Sequence, residues 1–330
     1  MDTVRRRKFL FATGALIAAP LVAEAQPAQR VYRIGFLGIS SDTPAVHGLF
    51  REFREGMAAL GWVEGRNYVR VDRWAHGEMT RLPALAAELV GLRPDALMAV
   101  ASESALALRN ATRAVPIVAI ATGDPVALGL TSSFSHPGEN ITGPTFAFPE
   151  LVPKQLGILK EAFPHASRVA ALMQADMANK AVHIDNLKAA APTLRVTVEF
   201  FEISKPEGFE STFQAIRAAR ADAALVVGSA FMFVHRTKLA ELALQYNLPT
   251  MWNIPSQAEA GGLMAYGVNV HALWRRAAVF MDKIFRGANP GDIPFERPSK
   301  FELAINMRTA KALGITFPQS VLRLADRLIE

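Results

Sequence analysis

The 330-residue sequence contains no cysteine. That excludes a disulfide framework, a cysteine nucleophile, a thiolate metal site and a lipid-modified N-terminal cysteine. Other signatures are missing as well. There is no His-Glu-x-x-His, no Gly-x-Ser-x-Gly, no Walker loop and no Gly-x-Gly-x-x-Gly. The seven histidines show no paired metal spacing. His76, His136 and His235, with Asp124, fall in separate loops, and no spacing joins any of them to a nucleophile. No catalytic residue, metal or cofactor is therefore expected. Charged residues are few, at 20%, against 51% hydrophobic, which is the reverse of a disordered chain. No basic run is interleaved with aromatics, so a nucleic-acid groove is not expected.

What is present begins with an N-terminal segment of three zones. Arg5, Arg6, Arg7 and Lys8 form a positive start, and Phe9 to Val22 is apolar except for Thr13. Ala23-Glu24-Ala25 fits a small-x-small cleavage site. This is the anatomy of a secretory signal peptide over 1–25, with a mature chain starting at Gln26. About fourteen apolar residues are short for a membrane span, which needs roughly 20. Arg6-Arg7-Lys8-Phe9-Leu10 also resembles the twin-arginine export motif, so either the general secretory or the twin-arginine route is open. The segment carries four basic and two acidic residues, so +2 of the net +6 belongs to it and +4 to the rest. No later segment reaches membrane-spanning length.

The remainder alternates strand and helix patterns. Tyr32–Gly38, Tyr68–Trp74, Asp95–Ala101 and Pro116–Ala121 read as strands. Between them, 45–60, 79–91 and 103–113 carry apolar residues at three- and four-residue spacings. The turn-rich loop His136-Pro-Gly-Glu-Asn-Ile-Thr-Gly143 breaks the rhythm and reads as the approach to a domain crossover. The alternation then restarts. Strands are expected at Arg168–Met173, Val196–Ile203, Ala223–Gly228 and Pro249–Ile254, with helices at 151–163, 179–190, 207–219, 235–246 and 271–286. The length fits two domains at about 150 residues each. Two doubly wound α/β units with parallel sheets follow.

In such sheets, ligands sit beyond the carboxyl ends of the strands. That rule selects Ser40 and Ser41 after the first strand, Ser102 and Glu103 after the third, and Thr122 and Asp124 after the fourth. In the second unit it selects Asp176, Ser229 and Asn253. Ser, Thr, Asp and Asn are also favoured helix caps, each worth about 1 kcal/mol, so capping accounts for any single one of them. Two units facing each other would bring both sets into one cleft. Helix N-termini there suit an anion such as a carboxylate. Asp124 or Glu259 would pair with an ammonium group. Trp74, Trp252 and Tyr266 lie near strand ends and are candidates to stack on a ring, with core packing as the competing role. Trp274 sits mid-helix among apolar residues and is expected in the core.

Several stretches resemble the ABC-transporter substrate-binding proteins of the tryptophan/tyrosine type, a branch of the type I periplasmic binding proteins. They are Gly61-Trp-Val-Glu-Gly-Arg-Asn67, Arg81-Leu-Pro-Ala-Leu-Ala-Ala-Glu-Leu-Val90, Ala111-Thr-Arg-Ala-Val-Pro-Ile-Val118 with Gly123-Asp-Pro-Val126, and His136-Pro-Gly-Glu-Asn-Ile-Thr-Gly143. The second half adds Glu259-Ala-Gly-Gly-Leu-Met-Ala-Tyr-Gly267, Arg275-Arg-Ala-Ala278, Lys300-Phe-Glu-Leu-Ala-Ile-Asn306 and Thr309-Ala-Lys-Ala-Leu-Gly314. The resemblance covers nearly the whole chain beyond the export segment. It implies two lobes joined by three crossovers, with 26–148 plus 264–290 in one and 149–263 plus 291–330 in the other. It implies capture of a small polar solute, an amino acid or related carboxylate with aromatic ones included, and delivery to a membrane permease with its ATPase. It further implies hinge closure on the solute. With no anchor cysteine, a freely diffusing periplasmic monomer is expected, touching the membrane only through the permease. The alternative is an exported ligand-sensing module that signals to a membrane partner without transport. Where family members usually have Thr-Pro after the third strand, this chain has Ser102-Glu103.

Overall fold

A computed structural model describes residues 30–40, 43–146, 151–177 and 180–330. The expected export segment 1–25 lies outside them. So do Ser41 and Asp42.

The first sheet is built from β1 (Tyr32–Gly38), β2 (Tyr68–Trp74), β3 (Ala96–Val100), β4 (Ile117–Ile120) and β5 (Ile141–Thr142). Between the first four run α1 (Pro44–Ala59), α2 (Leu82–Gly91) and α3 (Ala101–Ala111). All its pairings are parallel, in the order β2-β1-β3-β4-β5. The central strands are apolar on both faces because helices cover both sides, so they read as continuous runs rather than as alternation. β2 sits at the edge and is only half-buried, which is why its sequence does alternate.

The chain then passes to α4 (Leu151–Ala162), β6 (Arg168–Gln174), α5 (Lys180–Leu194), β7 (Thr197–Ile203), α6 (Phe209–Ala218) and β8 (Ala223–Val226). There follow α7 (Ala230–Val234), α8 (Arg236–Gln245), β9 (Thr250–Trp252), α9 (Pro255–Glu259) and β10 (Met264–Gly267). The second sheet runs β7-β6-β8-β9-β10, repeating the order of the first, and is extended by β11 (Glu302–Asn306) and β12 (Arg327–Ile329). This corrects the all-parallel expectation at one place. β10 and β11 pair antiparallel, because β11 enters the sheet after a long excursion.

That excursion is α10 (Val270–Phe285) and the 3-10 turn Pro290–Asp292. The expected return to the first lobe at 264 comes too early. Met264 opens β10, which pairs with β9 and β11 in the second sheet. The return begins with α10 instead. At the other end, 291–296 stays beside the first sheet, where Glu296 bridges Pro144. The tail then supplies α11 (Met307–Ala312) and α12 (Gln319–Leu324) around β11 and β12.

α10 packs on α1. Its buried face carries Leu273, Trp274, Ala277, Ala278, Met281 and Phe285. Tyr32 stacks on Phe285 at 4.3 Å and donates its hydroxyl to the Phe285 carbonyl. Trp62 Nε1 donates to Asp282 Oδ1 at 2.8 Å. The close point is Gly56, where an added Cβ would stand 2.8 Å from Ala278 Cβ and 2.9 Å from the Arg275 carbonyl oxygen. Gly56→Val is therefore expected to lower stability by about 1–3 kcal/mol through overpacking. Urea unfolding of the two proteins checks this, and an unchanged midpoint would show that the helices separate freely there.

Candidate functional site

Both sheets place their switch points, β1/β3 and β6/β8, toward a shared cavity between the lobes. The residues after β1 contribute Ile39 and Ser40, and the start of α3 contributes Ala101, Ser102 and Glu103. Beyond β4 come Ala121, Gly123 and Asp124. The second lobe contributes Met177, His183, Gly228, Ser229, Ala230, Asn253 and Ile254. The walls are aromatic: Phe36, Trp74, Phe146, Phe233 and Trp274 all line the cavity. Phe36 lies 4.9 Å from Trp74 and 4.8 Å from Phe50 between ring centroids, and Phe50 lies 4.8 Å from Trp274. One side of this cluster is core and the other is cavity wall. Phe233 and Ala230, from the second lobe, pack against apolar clusters of the first.

The polar groups arise from the strand ends. Ser102 Oγ accepts the Gly123 N–H at 3.1 Å and ties the end of β3 to the loop after β4. Ala101 and Ala121 close these two strands with φ of +69° and +56°, a left-handed backbone that costs a non-glycine residue about 1–3 kcal/mol. Asp124 Oδ1 accepts the N–H groups of Val126 and Ala127, so the carboxylate caps the turn that follows. Its other oxygen is not used in that cap. Ser229 Oγ likewise accepts the Met232 N–H and caps α7. Asn253 is seated by two glycines. A Cβ on Gly228 would fall 1.8 Å from Asn253 Nδ2, and one on Gly267 would fall 1.8 Å from the Asn253 carbonyl oxygen. Asn253 is only 5% exposed, and its Oδ1 has no hydrogen-bond partner.

Of the residues selected from the sequence, Ser40, Ser102, Glu103, Asp124, Ser229 and Asn253 line the cavity. Ser41 lies outside the described residues. Thr122 does not line it. Thr122 is fully buried beside Thr145, where the loop bridges back on itself. Asp176 is exposed and accepts from Gln174 Nε2 at 2.8 Å, beside the cavity rather than in its wall. Three more candidates lie away from the cavity. Trp252 points into the core of the second lobe, fully buried, with Nε1 donating to Thr250 Oγ1 at 2.8 Å. Glu259 is held at 2.6 Å by Arg327 at the second sheet's edge, away from the cavity. Tyr266 packs against the second core and does not line the cavity either. Trp274, expected in the core, is both core and wall. Missed altogether were Phe146, Phe233 and His183. The histidine sits in the first turn of α5, inside a helix and not at a strand end.

Two of these groups titrate abnormally. Burial pushes the Glu103 carboxyl up from its usual range. The hydrogen bond of its own backbone N–H opposes this, and the charge of Asp176 from the other lobe adds to the rise. Burial lowers His183 from 6.5 to about 4, so the ring is neutral at pH 7. His183 Nδ1 is buried without a partner. Among the described residues no group of His, Asp and Glu is arranged to hold a metal ion.

Each shift carries a sign. Above pH 6.5 His183 is neutral folded and unfolded, and contributes no pH dependence. As pH falls from 6.5 to about 4 the unfolded chain binds a proton that the folded chain refuses, so stability declines, by up to about 3 kcal/mol. Between pH 7.5 and 5 the wild type should lose about 2 kcal/mol more than His183→Gln in urea unfolding. Equal losses would mean the ring is solvated. Glu103 runs the other way. Its folded pKa is raised, so the penalty is absent below the ordinary carboxyl range and grows as pH rises through the folded value. Glu103→Gln should therefore melt higher than wild type at pH 7 without ligand, and the gap should close below about pH 4.

The fold and cavity define a two-lobed solute-binding protein, and comparison with known proteins gives the family. The chain belongs to the ABC transporter substrate binding protein family, whose model matches residues 40–329. This is a family of binding proteins, not catalysts. A tyrosine-binding protein of Clostridioides difficile strain R20291 is 24% identical over 282 residues, covering 84% of this chain and 81% of that protein. An ABC domain from Streptococcus pneumonia, solved in complex with L-Trp, superposes with a TM-score of 0.81 at 25% identity, covering 90% of this chain and all of that one. A conserved domain protein of Vibrio cholerae O1 biovar eltor superposes with a TM-score of 0.83 at 26% identity, over 90% and 99% of the two chains.

Proposed function

We propose that the protein is the periplasmic solute-binding component of an ABC importer. It takes up a small aromatic amino acid, or a close relative of one, in the interlobe cavity and presents it to a membrane permease with its ATPase. The observation that carries this reading is a cavity at the carboxyl ends of both sheets, walled by five aromatic rings and edged by Ser102, Glu103, Ser229 and Asn253. A flat ring fits between aromatic walls, and a few polar groups fix its head. That the relatives include a tyrosine-binding protein and a domain holding L-Trp supports the same class of solute.

In this reading 1–25 is a cleaved export signal and the mature protein is a monomer. The first lobe is 32–146 with 268–297, and the second is 151–177 and 180–267 with 298–330. No described helix is long and apolar enough to cross a membrane. The lobes hinge about the crossovers and close on the solute.

The test is direct. Trp74 and Trp274 line the cavity while Trp252 is sealed in the second core, so solute should change tryptophan emission through the first two. L-Tyrosine, which absorbs less than tryptophan, is the clean titrant. A saturable change is expected in the wild type and a much smaller one in Trp74→Phe. No change with either residue present, together with no heat on calorimetric titration with L-tyrosine or L-tryptophan, would remove the aromatic amino acid from the reading.

A further inference from the structure

The cavity is acidic. Glu103 and Asp124 line it, and among the described residues no lysine or arginine does. Asp176 stands close enough for its charge to act on Glu103. The basic residues nearest in sequence are engaged elsewhere. Lys180 donates to the Ala175 carbonyl and to both oxygens of Glu202. Arg236 donates to the Phe233 carbonyl and lies over that ring at 4.4 Å, but does not line the cavity. His183, the lining histidine, is kept neutral by burial. The internal segments outside the described residues, 41–42, 147–150 and 178–179, contain no lysine or arginine in their sequence.

A second, independent feature points the same way. Asn253 lines the cavity, and its buried Oδ1 has no donor. An amide oxygen can only accept, so the missing partner is an N–H or O–H. A buried polar group without a partner is costly, and in a binding cavity the ligand is the natural source of that partner. Glu103 adds a carboxylate whose ionisation burial opposes. A protonated amine answers each need in kind: it neutralises a carboxylate and offers three N–H donors. A solute carboxylate finds no guanidinium or ammonium here, only hydroxyls and backbone N–H groups.

Building on the aromatic-solute reading, we infer that the cavity selects its solute by a protonated amine on an aromatic body, and that a carboxylate on the solute is dispensable. Glu103 and Asn253 are the specificity-determining residues. Aromatic amines are then ligands alongside aromatic amino acids, and aromatic acids are not.

The test is calorimetric titration of the purified protein with two sets of three probes. The indole set is L-tryptophan, tryptamine and 3-indolepropionate. The phenol set is L-tyrosine, tyramine and 3-(4-hydroxyphenyl)propionate. In at least one set the amine should bind within about tenfold of the amino acid, and the acid should bind at least about tenfold more weakly than either. Glu103→Gln should weaken the amine by about tenfold or more while keeping a cooperative melt. If the amino acid and the acid bind and the amine does not, the inference is overturned and solute capture stands. If the amine binds equally to wild type and Glu103→Gln, the assigned role of Glu103 is overturned. If no member of either set binds, the aromatic reading falls and the inference with it.

Discussion

Trp274 belongs to a helix that follows the tenth strand, yet it ends against Phe50 of the first helix and near Phe36 of the first strand. This contact decides much else. It brings α10 back to α1 after the chain has already built most of the second sheet, so the first lobe is finished only when a late segment docks on it. Trp274 and Phe36 also line the first lobe's side of the cavity, with Phe50 in the core behind them. Fully burying a large apolar side chain is worth about 1.5–3 kcal/mol, so four mutually packed rings, Phe36, Phe50, Trp74 and Trp274, make the wall as rigid as the core behind it. A wall shared with the core cannot collapse when the cavity is empty.

The repeated strand order explains why there is one cavity and not two. Each sheet has its reversal between its first and third strands, which leaves a crevice at the carboxyl ends. Because the lobes present these ends to each other, the groups that terminate β1, β3 and β4 meet those that terminate β8 and β9. Many of these groups retain ordinary local duties. Ser229 caps a helix, Asp124 caps a turn and Ser102 tethers a loop. Capping and cavity lining are thus compatible roles: a cap uses one lone pair or one oxygen, and the remainder faces outward.

How far the sequence reveals this depends on the range of the interaction. Helices and central strands follow from local apolar spacing, and most appear within a residue or two of their expected limits. The four residues of β10 carry too short a pattern to register, and they lie inside a stretch whose glycines read as loop. The boundary at 264 came from the family resemblance and not from this pattern, and β10 pairs with β9 in the second sheet. Trp252 shows a second limit. It ends β9, so it is next to the cavity in sequence, but strand side chains alternate faces and its ring turns to the core beside Thr250. Its neighbour Asn253 reaches the cavity instead. His183 shows a third limit. Nothing in α5 distinguishes a buried histidine from the polar residues around it, and only the packing of the lobes makes it part of a wall.

The cavity wall gathers several features that a protein built for stability alone would avoid. Ala101 and Ala121 hold left-handed backbone, Glu103 resists its own charge, and Asn253 Oδ1 and His183 Nδ1 lack partners. Each costs on the order of 1–3 kcal/mol, and together they rival a sizeable part of a domain's net stability of about 5–15 kcal/mol. Their concentration at one place argues that the cost is linked to function and not scattered by chance. Under the proposed reading, a solute that supplies the missing donor and the missing positive charge recovers that energy on binding. Hinge closure then brings the lobes onto the solute without any further cost for building the wall, because its unfavourable arrangement was fixed when the lobes folded.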